Sequence, residues 1–437
     1  MPPPPRPARR RVGLVVAAVL GLVVALLATV LAVRPGVQAG PEAPRAVGQQ
    51  QRPPSRLPAD PGTELPRLLD KRARAVLKGD RAAFLATVDK RQKAFYKDQA
   101  TQFANMRTVP FSTLAYKITE RETSNGLRRR YHADQVVQVQ VQTRYRFSGQ
   151  DASPVLARHS YTFVLTRSVW RIAEDRIRRG RDDVEIWDAG PVRTRRSAHT
   201  LIVHHPGREV LAKRLLRVAD RAYAQVGAAW TGRWERKAVI LVPQDEREAE
   251  RLVGARNLAR VAAVASSSVE SGASERVLGN RIVVNTDNVA HYNDLNLQVL
   301  ITHEMTHVAT RTLGDGVPLL LVEGFADWAA LAPLGYPLAV TRPNLARRVL
   351  EGRFDGVLPR DDQFRGSDAA VAYDEGSTFC LWVADTYGAG KLQALYREFR
   401  GSNPPSKAEL DRGFERVLHL SRRTAQGRWA AWVRDRL

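Results

Sequence analysis

Cysteine is nearly absent. The 437 residues contain one, Cys380, which excludes an intrachain disulfide and any Cys-rich zinc module. Its place near the far end also excludes an amino-terminal lipidated cysteine. No Asn-x-Ser/Thr acceptor occurs, and no repeat of 20–50 residues marks a solenoid. Acidic residues are scarce: 45 Asp+Glu stand against 68 Lys+Arg, a formal charge of +23 and a pI near 10.8. That balance favours nucleic acid, an acidic polymer or a membrane surface as partner. The Arg-rich stretches 347–348 and 412–434 lack the interleaved aromatics of a nucleic-acid platform and read as solvated faces with buried stems. What is present is ordinary for a globular chain. Hydrophobic residues are 44% and charged residues 26%, which excludes a fibrous or disordered protein. The length allows two or three domains.

The amino terminus is organised for a membrane. Arg6, Arg9, Arg10 and Arg11 make residues 1–11 a basic tail, and residues 12–33 are an unbroken uncharged run. At 1.5 Å per residue that run spans roughly 33 Å, about the thickness of a bilayer core. Cleavable signal peptides have apolar stretches of only about 7–15 residues. A single-pass signal anchor is therefore expected, with the arginines cytoplasmic and the rest of the chain outside the cell membrane. The alternative is secretion after cleavage near Val37-Gln38-Ala39. Residues 34–65, with Pro35, Pro41, Pro44, Pro53, Pro54, Pro58 and Pro61, read as a stiff tether. Placed outside, the excess positive charge points to an anionic cell envelope or lipid headgroups and not to nucleic acid.

Residues 66–180 begin with helical spacing and then change period. Val137, Val139, Val141, Thr143, Tyr145 and Phe147 alternate with Gln138, Gln140, Gln142, Arg144 and Arg146, the pattern of a long antiparallel strand. Residues 113–123, 159–166 and 168–174 are candidates for further strands. Two or three helices followed by a curved antiparallel sheet resemble the cystatin-like cone of nuclear-transport-factor-like domains. His132 and His159 stand alone, and no cluster of catalytic residue types is visible in this region.

In residues 185–437, strands are expected at 201–204, 238–242 and 281–285, and helices at 208–226, 245–252 and 296–312. On the last helix sits His303-Glu304-Met305-Thr306-His307. Imidazoles four residues apart lie one turn apart on one face, so both can reach one ion. Leu297, Ile301, Met305 and Val308 form a separate stripe that packs inward. A buried helix with two satisfied histidines would read the same way. Segment 317–332 weighs against that: its only charged residues are Glu323 and Asp327, four apart and on one face. Buried carboxylates on an apolar helix require cations to meet them. Gly314-Asp315-Gly316 suits a chain reversal and Pro318 a helix start. His307 then lies roughly 7–8 Å before the turn and Glu323 about as far after it. Two antiparallel helices would hold His303, His307 and Glu323 at one level. Two nitrogens, one oxygen and an open position are what a catalytic zinc requires.

These residues, with Val322-Glu323-Gly324-Phe325-Ala326-Asp327, resemble the zinc metallopeptidases of the gluzincin type, the thermolysin-like clan. The resemblance implies a mixed α/β and helical peptidase domain over residues 185–437, so that the chain as a whole is α+β. It implies Zn2+ held by His303, His307 and Glu323, with Asp327 holding His303. It makes Glu304 the general base of a zinc-activated hydrolysis of peptide or protein substrates. By the same resemblance Tyr373 is the candidate oxyanion partner, and strand 281–285 is the edge to which an extended peptide adds. The connection between the motif halves is shorter than in thermolysin. The competing expectation is a non-enzymatic envelope-binding or scaffold protein with a structural or vestigial zinc site. Three further signals are set aside. His204-His205 reads as a surface pair without a carboxylate partner. Gly388-Ala389-Gly390-Lys391 follows a helix and lacks the spacing of a phosphate loop. Cys380 lies in an apolar helix and reads as a buried small residue.

Overall fold

The computed structural model describes residues 60–437, apart from 124, 176–181, 256–257, 271–275 and 402. The expected anchor, residues 12–33, and most of the tether lie outside the described residues. Among those described, no helix is long and apolar enough to cross a membrane. The architecture is mixed α+β, and the described chain divides into two compact units. One comprises residues 60–193 with 268–279, the other residues 194–267 with 280–437.

In the first unit, Asp60 starts helix α1 (Pro61–Lys78) by accepting from the backbone N–H groups of Gly62 and Thr63, both at 3.1 Å. Gly79, at φ 72°, ends it in the left-handed region. Helices α2 (Arg81–Leu85) and α3 (Lys93–Met106) follow, and then strands β1 (Phe111–Thr123), β2 (Gln135–Phe147), β3 (Val155–Thr166) and β4 (Val169–Glu174). The strands form an antiparallel sheet in sequential order. Register shifts at Phe111/Thr113 and Ile118/Glu120 interrupt the β1–β2 ladder, the irregularity that bends a sheet. Val137, Val139 and Val141 are buried with Leu65 and Leu69 of α1, while Gln138, Gln140 and Gln142 stay partly open. The period-two pattern of β2 thus decides which face carries the core.

A five-stranded sheet of order β5-β6-β7-β9-β8 lies mainly in the second unit: β5 (Arg193–Arg196), β6 (Thr200–His204), β7 (Ala238–Val242), β8 (Ala263–Glu270) and β9 (Arg276–Val284). Strands β6, β7 and β9 run parallel. Both β6 and β7 are buried at every position, as expected of parallel strands covered on both faces. Helix α4 (Glu209–Ala229) connects β6 to β7 and buries Ala212, Leu215, Ala219, Ala222 and Val226. Helix α5 (Glu246–Val253) is capped by Asp245. The strand order corrects the expected edge. The segment around residues 281–285 belongs to β9 and lies between β7 and β8, so the open edge beside it is β8. No strand was expected at 263–270.

After β9 the unit is helical: α6 (Asp294–Thr310), α7 (Leu319–Leu331), α8 (Pro343–Leu350), α9 (Ala369–Tyr387), α10 (Ala389–Glu398), α11 (Lys407–Leu418) and α12 (Arg422–Arg436). Two of them touch main chain to main chain. A Cβ at Gly324 of α7 would lie 2.3 Å from the Gly376 carbonyl oxygen of α9 and 2.9 Å from Cys380 Sγ. Only glycine permits that approach.

The pair His204-His205 is not on the surface. Both are buried, and His205 Nε2 lies 2.8 Å from Glu248 Oε1 on α5. The partner is distant in sequence, which local spacing could not reveal.

Candidate metal centre

Helix α6 starts where the Asn293 side chain accepts from the Asn296 N–H at 2.9 Å. Every residue from Leu297 to Thr310 except Gln298 is buried, so the helix carries both histidines through the core. A reversal at Gly314-Asp315-Gly316 brings the chain back. Pro318 precedes α7, and Asp361 Oδ1 accepts the first helical N–H, that of Leu319, at 2.9 Å. Glu323 and Asp327 then lie one turn apart, both buried.

The two helices bring three donor atoms together. His303 Nε2 is 3.0 Å from His307 Nε2, and Glu323 Oε2 is 3.3 Å from the first and 3.5 Å from the second. Glu323 Oε1 meets no donor among the described residues. Four-coordinate zinc, with bonds of about 2.0–2.1 Å, sets its ligand atoms about 3.4 Å apart. The observed edges match that figure. These three residues can hold a metal ion.

Around them the protonation states are arranged. His303 Nδ1 is 2.8 Å from Asp327 Oδ1; with Nδ1–H donating to the carboxylate, Nε2 keeps its lone pair for the centre. Burial disfavours charge on His303, yet Asp327 and Glu323 outweigh it and raise the imidazole well above its ordinary value, so Nε2 carries a proton wherever a metal cation does not take its place. For Glu323, burial works upward, but His307 and His303 pull the carboxyl down to about 2. It is an anion in search of a cation.

Glu304 is fully buried. Its Oε2 accepts the main-chain N–H of Ala265 on β8 at 2.7 Å, and its Oε1 has no partner among the described residues. Burial pushes its carboxyl above the usual range, against the opposing pull of His303 and His307.

Three residues of this region carry no local sequence signal. Ala265 fixes Glu304, Asp361 caps α7, and Arg342 is buried where its charge acts on Asp327 and Asp374. Burial lowers the Arg342 guanidinium against the pull of both aspartates. Tyr373 is on α9, buried, with its ring edge-on to Phe364 at 5.3 Å between centroids.

No family model matches this chain, and no curated protein matches it. Among solved structures it is similar to a single-residue mutant of an M1 zinc metallopeptidase from Deinococcus radiodurans, with a TM-score of 0.32 and 14% identity. The match covers 74% of this chain and 62% of that one.

Proposed function

We propose that this chain is a zinc-dependent peptidase, tethered to the outer side of the cell membrane by residues 12–33. The observation that carries the reading is the convergence of His303, His307 and Glu323 at the spacing of zinc ligands, with Glu304 beside them and one of its oxygens unpartnered. A zinc ion held by those three side chains supplies a Lewis acid that acidifies water and polarises a carbonyl.

The chain's own groups do the rest. Asp327 fixes the tautomer and ring orientation of His303. Ala265 N–H anchors Glu304 Oε2, so Oε1 remains the acceptor for a proton of the attacking water and its later donor to the departing amine nitrogen. The raised carboxyl of Glu304 makes it the stronger acceptor for the water proton. An extended peptide adds to the open edge at β8 by main-chain hydrogen bonds. Tyr373 is assigned as hydrogen-bond donor to the developing oxyanion.

The deciding experiment measures metal content and cleavage of a peptide library by the full chain and by Glu304→Gln. Zinc at one equivalent in both proteins is expected, with a rate loss of about 10²–10⁴ in the variant. Zinc binding without cleavage by the natural chain would favour the scaffold reading.

A further inference from the structure

A buried charge in the first unit lacks its counter-charge. Arg72 of α1 is 1% exposed, yet among the described residues no carboxylate is in ion-pair contact with it. Its guanidinium lies 3.7 Å above the Phe84 ring. NH1 donates to Thr87 Oγ1 at 3.2 Å, and NH2 donates to Gln99 Oε1 and, at 3.5 Å, to Gln102 Oε1. Two acids stand one hydrogen bond further away. Gln99 Nε2 donates to Asp175 Oδ2 at 2.6 Å, and Gln102 Nε2 to Asp188 Oδ1 at 3.3 Å. Buried guanidinium groups are ordinarily neutralised by direct contact with an anion. Here neutral amides and a ring face surround the charge, and Nε has no acceptor.

A second unpartnered donor stands close by. Tyr161 of β3 is edge-on to Tyr116 of β1, with ring centroids 6.4 Å apart. Tyr116 and Tyr161 both lie within electrostatic reach of Arg72, and the Tyr161 hydroxyl has no hydrogen-bond partner among the described residues. Burial pushes the Tyr161 phenol well above its ordinary value, so it remains a donor at neutral pH. Its ring belongs to the apolar cluster of Val139 and Phe163.

We propose that this cluster, between α1 and α3 on one side and β1–β3 on the other, is a binding site for a small organic monocarboxylate with an apolar body. Arg72 Nε and the Tyr161 hydroxyl are two donors for the two oxygens of one carboxylate. The aromatic and valine side chains meet the body of the ligand. Asp175 and Asp188 disfavour a dianion such as phosphate, because each is a single amide away from the guanidinium. The site involves none of the metal-centre residues, so it stands or falls independently of the peptidase reading.

The test titrates phenylacetate, and its neutral isostere phenylacetamide, into the full chain by calorimetry. The protein is first stripped of metal with EDTA, so that no ion at His303, His307 and Glu323 can take the carboxylate. Saturable one-to-one binding with Kd of about 1 mM or tighter is expected, with the amide at least about tenfold weaker. Arg72→Met should abolish binding and Tyr161→Phe should weaken it several-fold. If Arg72→Met does not fold, Tyr161→Phe decides. Absence of saturable heat in the natural chain to about 10 mM, or undiminished binding in folded Tyr161→Phe, overturns the proposal.

Discussion

The main-chain N–H of Ala265 and the carboxylate of Glu304 are joined by a 2.7 Å hydrogen bond that ties the outermost strand of the sheet to the helix carrying both histidines. One oxygen of Glu304 is thereby fixed and the other left open. A backbone donor holds this geometry whatever side chain other than proline occupies position 265.

Ala265→Pro removes that N–H and fixes φ at the same position. Because the group points at Glu304, the substitution should cost peptide cleavage about tenfold or more while zinc affinity changes little. Steady-state kinetics beside a chelator-competition titration separate the two effects. Parallel loss of metal would contradict the assigned role.

Asp327→Asn tests the support of His303. The amide can present its NH2 to Nδ1 and select the wrong tautomer, so zinc affinity should fall by about 10–100-fold. Competition with a fluorescent chelator reads this directly, and Asp327→Glu is expected to recover part of the loss.

Gly324→Ala places a methyl 2.3 Å from the Gly376 carbonyl oxygen. Helices α7 and α9 must separate, and a loss of roughly 1–3 kcal/mol is expected from denaturant unfolding. Since Glu323 precedes this residue, metal affinity should decline as well. A stability change below about 0.5 kcal/mol would show that the helices have slack there.

Stability should depend on pH through two carboxyls outside the ligand set. Burial, helped by Asp355, Asp374 and Asp368 against Arg348, pushes Glu375 up to about 8; burial also pushes Asp374 up to about 7, against Arg342. Unfolded, they titrate near 4.5 and 3.8. Between the two sets of values the folded chain keeps protons that the unfolded chain releases, so stability falls as pH rises through that window. Glu375→Gln should flatten this slope and raise stability at pH 8 by about 1 kcal/mol or more. Thermal melts across the window check it, and an unchanged slope would refute it.

The parts of the site legible in sequence are those whose partners lie along one helix. The four-residue spacing of His303 and His307, and of Glu323 and Asp327, is a property of helical pitch, and the short turn between α6 and α7 allowed the two pairs to be levelled against each other. The rest depends on distant pairing. Strand β8 reads Ala263-Val264-Ala265-Ser266-Ser267-Ser268-Val269-Glu270, with too little period-two contrast to announce a strand, and its neighbour β9 supplies what its own residues lack. Glu248 meets His205, Asp361 caps α7 and Gln99 meets Arg72 across long separations. In the first unit the strands were visible because Val137, Val139 and Val141 alternate with glutamines. The buried arginine among them was not, since a lone Arg on a helix ordinarily faces water.

The glycine seam between α7 and α9 has a consequence for how this chain tolerates change. Elsewhere in the helical core a methyl gained or lost can be absorbed by side chains moving between rotamers. At Gly324 and Gly376 there is no side chain to move, so an added atom is answered by displacement of a whole helix. Replacements that are mild by chemistry are therefore severe here, one residue from Glu323. Efforts to stabilise the molecule should leave that crossing untouched and begin at exposed positions such as Val210 or Leu350.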